Sequence, residues 1–483
     1  MSASQNKKSG GQAGNQTRNR VLGGIAAVLV VVLIIGSFVI NSNYFYTKTA
    51  AVSIGDTDYT VAEFNYFYKT AYDQFYNSLG NYASYVIDKD KPLDEQYYVE
   101  GQSYKDYFTQ AALTQMSEVT VAYNQAVANG LALSEDDQTS ISDQLATIDT
   151  YASIYGISAD QYLAQLYGKG MNRATLEKVL NMVYMAAEFY NTKVDSFSYT
   201  EDEIKAAYAE HKDDYDILSY RVFYVANDDD AEAAHAAADA IATAKDGTEF
   251  AELVRENVAE DKADNYADDD ATLYTTAGSS LSSYDYGEWL LDSTRRANDT
   301  TVIESSSGGG YYVVMFVDRD DNDYNTVSMR HILVRVTVDE DNGVTDEARA
   351  EALAKIEEIR DAFEATDKSE ESFAALANEK SEDSGSNTNG GLYEHIAHNQ
   401  MVQPVNDYIF DEARKSGDTE IVYYEGDNYT GYHLIYFVGE GEPYCDYIAD
   451  SNLRSADYSA WLEAEESKYP VEQNASMFFA ARS

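Results

Sequence analysis

The stretch Ser328-Met-Arg-His-Ile-Leu-Val334 decides the fold, because it is β-prone and has a counterpart earlier in the chain. The counterpart is Ser219-Tyr-Arg-Val-Phe-Tyr-Val225, and both stretches precede a segment rich in alanine and charged residues. Two related helical segments follow, Phe250-Ala-Glu-Leu-Val254 and, 123 residues later, Phe373-Ala-Ala-Leu-Ala377. The same order of elements therefore occurs twice, which indicates an internal repeat.

Each copy of the repeat ends in a strand that begins with glycine. Gly310-Tyr-Tyr-Val-Val-Met-Phe-Val317 closes the first copy, and Gly431-Tyr-His-Leu-Ile-Tyr-Phe-Val438 closes the second, 121 residues later. Because neither copy contains the long hydrophobic crossovers of a parallel sheet, we expect a small antiparallel sheet with surrounding helices in each. The predicted fold class is α+β, with one such domain at 217–325 and another at 326–440.

Composition limits the functions that the chain can have. Its 483 residues include 34 Lys and Arg against 84 Asp and Glu, which gives a formal net charge of −50. Such a surface repels phosphate backbones and argues against nucleic-acid binding. The single cysteine, Cys445, excludes an internal disulfide and a cysteine-based zinc site.

The N-terminal 40 residues predict a membrane anchor. Residues 1–20 carry four basic and no acidic side chains, and the uncharged apolar run 21–40 is long enough to cross a bilayer as a transmembrane helix. The positive-inside rule then places the basic tail in the cytoplasm and the bulk of the chain outside. We therefore expect a single-pass cell-membrane protein. A cleaved signal peptide is the alternative, but its apolar region is usually shorter and ends in a small-residue cleavage site.

The segment 41–216 predicts a mostly helical domain. Apolar residues recur every three or four positions from Tyr104 to Gly130, and Ser134 and Thr200 are typical helix-starting residues. Tyrosine and phenylalanine cluster between positions 64 and 76, which is consistent either with an aromatic helical core or with a groove for extended polypeptide. The tail 441–483 is predicted to contain a C-terminal helix.

Two histidines of the second copy are candidates for chemistry. His331 and His433 lie in the first and last strands of one small sheet, each among apolar residues. Burying two imidazoles is costly unless they hydrogen-bond to each other or to a fixed acid. The candidate acid is Asp383, which lies between the two histidines in the loop Ser381-Glu-Asp-Ser-Gly385. A purely structural role for these three residues, in which they only stabilise the sheet, remains the alternative.

These residues resemble the parvulin-type peptidyl-prolyl cis-trans isomerases, in particular the membrane-anchored extracytoplasmic foldases of the PrsA and SurA type. The matching segments occur in the order and spacing of that family, and they are 330–334, 373–383, 390–392, 399–402 and 431–435. The resemblance implies that the helical region 41–216 is a chaperone-like domain that precedes the isomerase domain.

The resemblance also implies which residues form the site. It makes His331, Asp383 and His433 the catalytic residues. The residues that it assigns to substrate binding are Leu392, Met401, Val405, Phe410 and Thr430. Val405 departs from the family, because many parvulins have a phenylalanine at this position; a smaller wall would grip the proline ring less well, and Phe410 could partly compensate.

The activity that the resemblance implies is rotation about X-Pro bonds in unfolded or partly folded exported proteins, without a cofactor or metal. The barrier to this rotation is about 18–20 kcal/mol, because resonance stiffens the C–N bond. A site can lower it without covalent chemistry by binding the twisted amide more tightly than the planar one. The alternative is a catalytically weak or inactive holdase or scaffold that binds unfolded secreted polypeptides.

The first copy lacks both histidines. Val222 stands where the second copy has His331, and Tyr312 stands where it has His433. We therefore expect a degenerate parvulin-like domain, kept for binding or spacing. His395 and His398 lie three residues apart, but their segment does not have the H-E-x-x-H pattern, so metal binding is the less favoured interpretation.

Overall fold

The computed structural model describes residues 42–227, 230–258, 260–339, 343–426 and 428–481. Sixteen α-helices and fifteen strands lie within these ranges. The helices are α1 (Asn43–Lys48), α2 (Val61–Ser78), α3 (Ala83–Val86), α4 (Tyr104–Ala128), α5 (Glu135–Ile154), α6 (Ala159–Tyr167), α7 (Arg173–Asp195), α8 (Glu201–Glu210), α9 (Lys212–Tyr215), α10 (Ala231–Ile241), α11 (Gly247–Asn257), α12 (Gly287–Leu291), α13 (Asp346–Glu364), α14 (Glu370–Lys380), α15 (Gln403–Ile409) and α16 (Tyr444–Glu466). The strands are β1 (Ala50–Ile54), β2 (Thr57–Thr60), β3 (Tyr97–Val99), β4 (Gln102–Ser103), β5 (Ile217–Ala226), β6 (Leu273–Ala277), β7 (Thr300–Glu304), β8 (Gly310–Asp320), β9 (Asn325–Arg335), β10 (Val338–Asp339), β11 (Gly343–Val344), β12 (Leu392–Ile396), β13 (Thr419–Glu425), β14 (Thr430–Pro443) and β15 (Val471–Gln473).

The chain forms two compact units. The first contains the described residues up to Ser198 together with those from Arg454 onwards, and the second is Tyr199–Leu453. The C-terminal tail therefore belongs to the same unit as the N-terminal helices. The domain boundaries at 217 and 326 remain predictions, since the second unit holds both copies of the repeat.

Polar side chains at the helix starts explain where several helices begin. The hydroxyl of Ser134 accepts a hydrogen bond from the backbone N–H of Asp137 at 3.0 Å, which satisfies one free donor in the first turn of α5. Thr200 and Glu203 form a reciprocal capping box at the start of α8. Both predicted helix starts are confirmed, as are the long helices observed as α4 and α7.

The aromatic cluster of the first unit forms much of its core. Phe64 and Phe67 of α2 are fully buried, and Tyr72 and Phe75 pack against the same core. The ring of Phe75 lies edge-on to that of Phe108 of α4, with centroids 5.6 Å apart, which is a favourable aromatic geometry. Of the two interpretations of this cluster, the structure favours the helical core.

The C-terminal tail completes the first unit in two ways. Trp461, in the last turns of α16, packs on Phe189 of α7 with ring centroids 5.3 Å apart. Strand β15 then pairs antiparallel with β1, where Val471 lies opposite Ile54. The predicted C-terminal helix is present, but the short strand after it was not anticipated.

The second unit contains two four-stranded antiparallel sheets of the same topology. The strand orders are β6-β5-β8-β7 in the first copy and β12-β9-β14-β13 in the second. Phe250 of α11 and Phe373 of α14 are both fully buried, so equivalent helices cover equivalent sheets. The predicted small antiparallel sheets with helices packed against them are confirmed.

The predicted transmembrane helix was wrong as a part of the fold class, and so was the cell-membrane location derived from it. Within the described ranges, no helix is both long and apolar enough to cross a membrane. The segment 21–40, to which the anchor was assigned, lies outside the described residues. A single-pass membrane protein is therefore not supported, and the expectation that the clients are exported proteins loses the support that it drew from the anchor.

Candidate functional site

The two histidines of the second copy lie side by side on one face of its sheet. His331 is opposite Ile435 in the register between β9 and β14, and His433 is opposite Leu333, so the two are diagonal neighbours. Both side chains are buried, and their rings stack with centroids 5.3 Å apart. The Nδ1 atoms are 3.1 Å apart, which is hydrogen-bonding distance. The predicted proximity of the imidazoles is confirmed.

Asp383 reaches the pair from the loop that follows α14. Its Oδ2 atom lies 2.9 Å from Nε2 of His331. The loop is fixed to β9 by two hydrogen bonds: the N–H of Glu382 donates to the carbonyl of Leu333, and the N–H of Leu333 donates to the hydroxyl of Ser381. The backbone of the loop therefore holds the carboxylate beside the imidazole.

The hydrogen bonds define one set of tautomers when both imidazoles are neutral. The carboxylate of Asp383 can only accept, so His331 carries its proton on Nε2 and its Nδ1 is an acceptor. His433 must then donate from Nδ1 to His331, which leaves its own Nε2 as an acceptor. The hydroxyl of Tyr429 lies 3.2 Å from that atom and donates to it. Every ring nitrogen in the pair therefore has a partner.

Two tyrosines and a serine join this network and were not predicted. The hydroxyls of Tyr393 and Ser386 donate to Oδ2 of Asp383 at 3.0 and 2.6 Å. Tyr429 donates to His433 at the far end of the network. We call these three residues, together with His331, His433 and Asp383, the histidine network. Strand alternation could have found Tyr429, because it is four residues before His433 and so shares its face.

The environment keeps His433 neutral and Asp383 charged. Burial, followed by the neighbouring His331, lowers the pKa of His433 to about 3. The hydrogen bond from His331 holds the pKa of Asp383 well below its usual range, although partial burial opposes this shift. Burial and then the bond to Asp383 raise the pKa of Tyr393, so its hydroxyl stays a donor. The carboxylate of Asp383 thus carries a negative charge that hydrogen bonds hold in place.

Gly390 and Gly391 shape the backbone next to His331. Both have positive φ values, 74° and 71°, which side chains other than glycine adopt at a cost. The N–H of His331 donates to the carbonyl of Gly391 at 2.9 Å. A Cβ atom on Gly391 would lie 2.2 Å from the carbonyl oxygen of His331, so only glycine fits there.

Three of the five predicted substrate-binding residues lie together beside the network. Met401, Val405 and Phe410 contribute to one apolar cluster with Ile435 and Tyr393, on the face of the sheet that carries the histidines. Val405 is almost fully buried, so it forms part of the base of this cluster. The part of these residues in binding a proline ring stays a prediction.

Leu392 and Thr430 are not brought to the network. Leu392 lies opposite Arg330 in the register, and Arg330 binds Glu370 of α14, on the helix-covered face. Thr430 begins β14 three residues before His433, so alternation places its side chain on the opposite face from the imidazole. In each case the adjacent tyrosine, Tyr393 or Tyr429, lies in the network instead.

The first copy has the same sheet positions with different side chains. Val222 lies opposite Val314, just as His331 lies opposite Ile435, and Tyr312 lies opposite Tyr224, just as His433 lies opposite Leu333. Val222 and Tyr312 both pack against one apolar cluster of that copy. The equivalent face is therefore apolar and aromatic.

The histidines considered for metal binding face tyrosines. The ring of His398 stacks on that of Tyr324 with centroids 3.6 Å apart, and that of His395 stacks on Tyr447 with centroids 4.5 Å apart. Stacking of each imidazole on its own tyrosine accounts for the positions of both. Within the part of the chain that the structure describes, we find no group of three His, Cys, Asp or Glu side chains that could hold a metal ion.

Comparison with known proteins identifies the class of both copies. Residues 199–319 and 311–439 each match a family model described as a PPIC-type PPIASE domain. The chain therefore contains two domains of the parvulin-type peptidyl-prolyl cis-trans isomerase family in tandem. The second match contains the entire histidine network.

The other two comparisons add little. No curated protein matches the sequence. The crystal structure of a foldase protein PrsA from Streptococcus pneumoniae is similar at 15% sequence identity, over 46% of this chain and 77% of that chain, with a TM-score of 0.22. At these values the likeness carries no weight, and the assignment rests on the two family models.

Proposed function

We propose that the second copy isomerises X-Pro bonds in unfolded or partly folded polypeptides, and that its histidine network does so without covalent chemistry. The observation that carries this proposal is the continuous hydrogen-bonded chain from Tyr429 through both histidines to Asp383. Met401 and Phe410 line the adjacent apolar cluster, which suits a proline ring.

The charge of Asp383 supplies a physical reason for rate enhancement. In a planar amide, resonance places partial negative charge on the carbonyl oxygen, and this charge decreases when the C–N bond twists. A fixed carboxylate near that oxygen therefore destabilises the planar amide more than the twisted one. This difference lowers the barrier to rotation only if the carboxylate is held in place. Three hydrogen-bond donors fix Oδ2 of Asp383.

Covalent catalysis by Asp383 is less well supported. A nucleophile needs a basic, accessible atom, whereas Oδ2 already accepts hydrogen bonds from His331, Ser386 and Tyr393. The low pKa of this carboxyl also makes it a weak nucleophile. The histidines act in this proposal by fixing the position of the carboxylate, so they are positioning residues.

For the first copy we propose a binding role without catalysis. Its family match includes the sheet, but Val222 and Tyr312 replace both histidines, so the face has no equivalent of the network. Tyr224 and Tyr274 remain exposed on that copy, which favours contact with apolar segments of a client. A holdase activity that is independent of isomerisation is the second candidate function.

The experiment is a protease-coupled assay on X-Pro peptides with two double variants of the full chain. His331→Ala/His433→Ala should lower kcat/KM by about tenfold or more, because the carboxylate loses its fixed position. Val222→Ala/Tyr312→Ala changes the equivalent pair of the first copy and should leave kcat/KM within about twofold of the parent. Equal loss in both variants, or no loss in the first, would refute the assignment of activity to the second copy.

The same two variants separate the isomerase from the holdase. Suppression of client aggregation should survive His331→Ala/His433→Ala if binding does not need the network. Loss of suppression in that variant, with suppression retained in Val222→Ala/Tyr312→Ala, would refute an independent holdase role for the first copy.

A further inference from the structure

The first unit contains a cavity of about 530 Å³ that the isomerase function does not use. Parts of α2 and α6 line it, together with the loop around residues 87–93. Its walls are largely apolar and aromatic, and they include Tyr68, Tyr72, Leu93 and Tyr167. The volume is sufficient for a few amino-acid side chains.

Lysine side chains surround this cavity, although the chain as a whole is strongly acidic. The sequence has 84 acidic residues against 34 basic ones, whereas four lysines and one acid, Asp88, line the cavity. The four are Lys69, Lys89, Lys91 and Lys169. This local excess of positive charge runs against the composition of the molecule, so it marks the cavity as different from the surrounding surface.

Two of these lysines are available to an incoming anion. Lys69 pairs with Asp73, and Lys91 pairs with Asp88 at 3.0 Å. In contrast, Nζ of Lys89 lies 4.0 Å from the centroid of the Tyr76 ring. Among the described residues we find no ion pair to Lys89.

Lys169, like Lys89, contacts a tyrosine ring instead of a carboxylate. Its Nζ atom lies 5.1 Å from the centroid of the Tyr46 ring, and we find no carboxylate partner for it in the described ranges. An aromatic ring contacts an ammonium group on one side and leaves its N–H donors free on the others. Both cations are thus oriented by tyrosines without being neutralised.

We propose that this cavity binds an acidic segment of polypeptide, in which a glutamate or aspartate contacts Lys89 and Lys169 and an adjacent apolar side chain packs on the tyrosines. The combination of apolar walls with two free cations matches a carboxylate that is carried on an apolar chain. No residue of the histidine network belongs to this unit, so the proposal does not rest on the isomerase activity.

A long polyanion fits the same surface less well. Asp90 lies in the loop that forms one wall, and Asp94 and Glu95 follow that loop directly. All three are exposed, so a polymer that extended past the cavity would meet like charge. Two of the four lysines are already paired, which leaves enough charge for one or two carboxylates. A short acidic peptide can pair with the two free lysines without meeting these acidic residues.

Calorimetry with two peptides tests the proposal on the full chain. The peptides are nine residues long and identical except that a central Phe-Glu-Leu-Glu is replaced by Phe-Gln-Leu-Gln. We expect the Glu peptide to bind the parent about tenfold more tightly, because it makes charge-assisted hydrogen bonds that the amides cannot make. Equal affinity of the two peptides would overturn the proposal.

Charge reversal at the cavity supplies the matched comparison. In Lys89→Glu/Lys169→Glu the preference for the Glu peptide should disappear, whereas Lys89→Arg/Lys169→Arg should keep it. Lys205→Glu/Lys245→Glu changes the net charge equally at two exposed lysines of the second unit and should also keep it. Retention of the preference in the first variant would overturn the assignment to this cavity.

Two further measurements keep the result unambiguous. If the charge-reversed chain fails to fold, as judged by circular dichroism, Lys89→Gln/Lys169→Gln takes its place with the same expected loss. Inorganic polyphosphate should compete poorly with the Glu peptide. Tighter binding of polyphosphate than of the peptide would overturn the choice of a polypeptide as the occupant.

Discussion

His433 lies diagonally across the sheet from His331, and their Nδ1 atoms are 3.1 Å apart. Only one proton can occupy the line between two ring nitrogens at this distance. The bond of His331 to Asp383 determines which imidazole supplies it, since a carboxylate can only accept. One carboxylate therefore fixes the proton positions of two histidines.

The tautomers can be measured by nitrogen NMR. When both imidazoles are neutral, His331 is protonated on Nε2 and His433 on Nδ1, and the nitrogen chemical shifts should report these assignments at a pH above which they no longer change. Tyr429→Phe removes the donor to Nε2 of His433, so the shift of that nitrogen should change and stability should fall by about 1 kcal/mol. Tyr424→Phe, one strand away, is the control. Observation of the opposite tautomers would contradict the hydrogen-bond assignment.

Stability should depend on pH through His433. Burial and then His331 lower the pKa of this imidazole from 6.5 to about 3, so below pH 6.5 the unfolded chain binds a proton here that the native chain does not. Stability from this residue is therefore lost as the pH falls, by about 2 kcal/mol between pH 7 and pH 5. Chemical denaturation of the parent and of His433→Asn at both pH values measures the difference.

His235→Asn is the control for the pH experiment, because it removes a half-exposed imidazole outside the network. The parent and this control should lose the same stability between pH 7 and pH 5, whereas His433→Asn should lose about 2 kcal/mol less. An equal loss in all three chains would show that His433 is not held neutral in the native state.

Gly391→Ala should lower both stability and isomerase activity by more than the strain of its positive φ alone would cause. A positive φ costs a residue with a Cβ atom about 1–2 kcal/mol, and the added methyl group would also lie 2.2 Å from the carbonyl oxygen of His331. Gly417→Ala has the same kind of strain, but its nearest neighbour is the Tyr436 hydroxyl at 3.8 Å. Unfolding free energy and isomerase activity should both fall further in Gly391→Ala. Equal effects would mean that this glycine does not position His331.

The repeat and the histidine pair could be predicted from the sequence because both follow from strand alternation. Matching segments in two copies align the strands, and two histidines on the same face of adjacent strands must lie close together. Asp383 was found because its loop follows a recognisable helix. The resemblance to parvulins supplied the order of these parts.

At the ends of strands, the sequence did not show which of two adjacent residues lies in the histidine network. Leu392 and Thr430 were predicted at the site, whereas Tyr393 and Tyr429, their immediate neighbours, lie in the network. A shift of one residue moves a side chain to the other face of a sheet, so the choice of Leu392 and Thr430 left their network-forming neighbours out, while their own role in substrate binding stays a prediction. The short strand β15 was missed for a different reason, since three exposed residues carry no pattern of burial.

The central claim is that the fixed charge of Asp383 promotes rotation of the X-Pro bond, and exchange spectroscopy on Asp383→Asn tests it most directly. This variant keeps the size of the side chain but removes its charge, and NMR measures cis-trans exchange of an X-Pro peptide at equilibrium. We predict that the exchange rate at saturating peptide falls by about tenfold or more while peptide affinity stays within about twofold. An unchanged exchange rate in Asp383→Asn, with peptide binding intact, would contradict the claim.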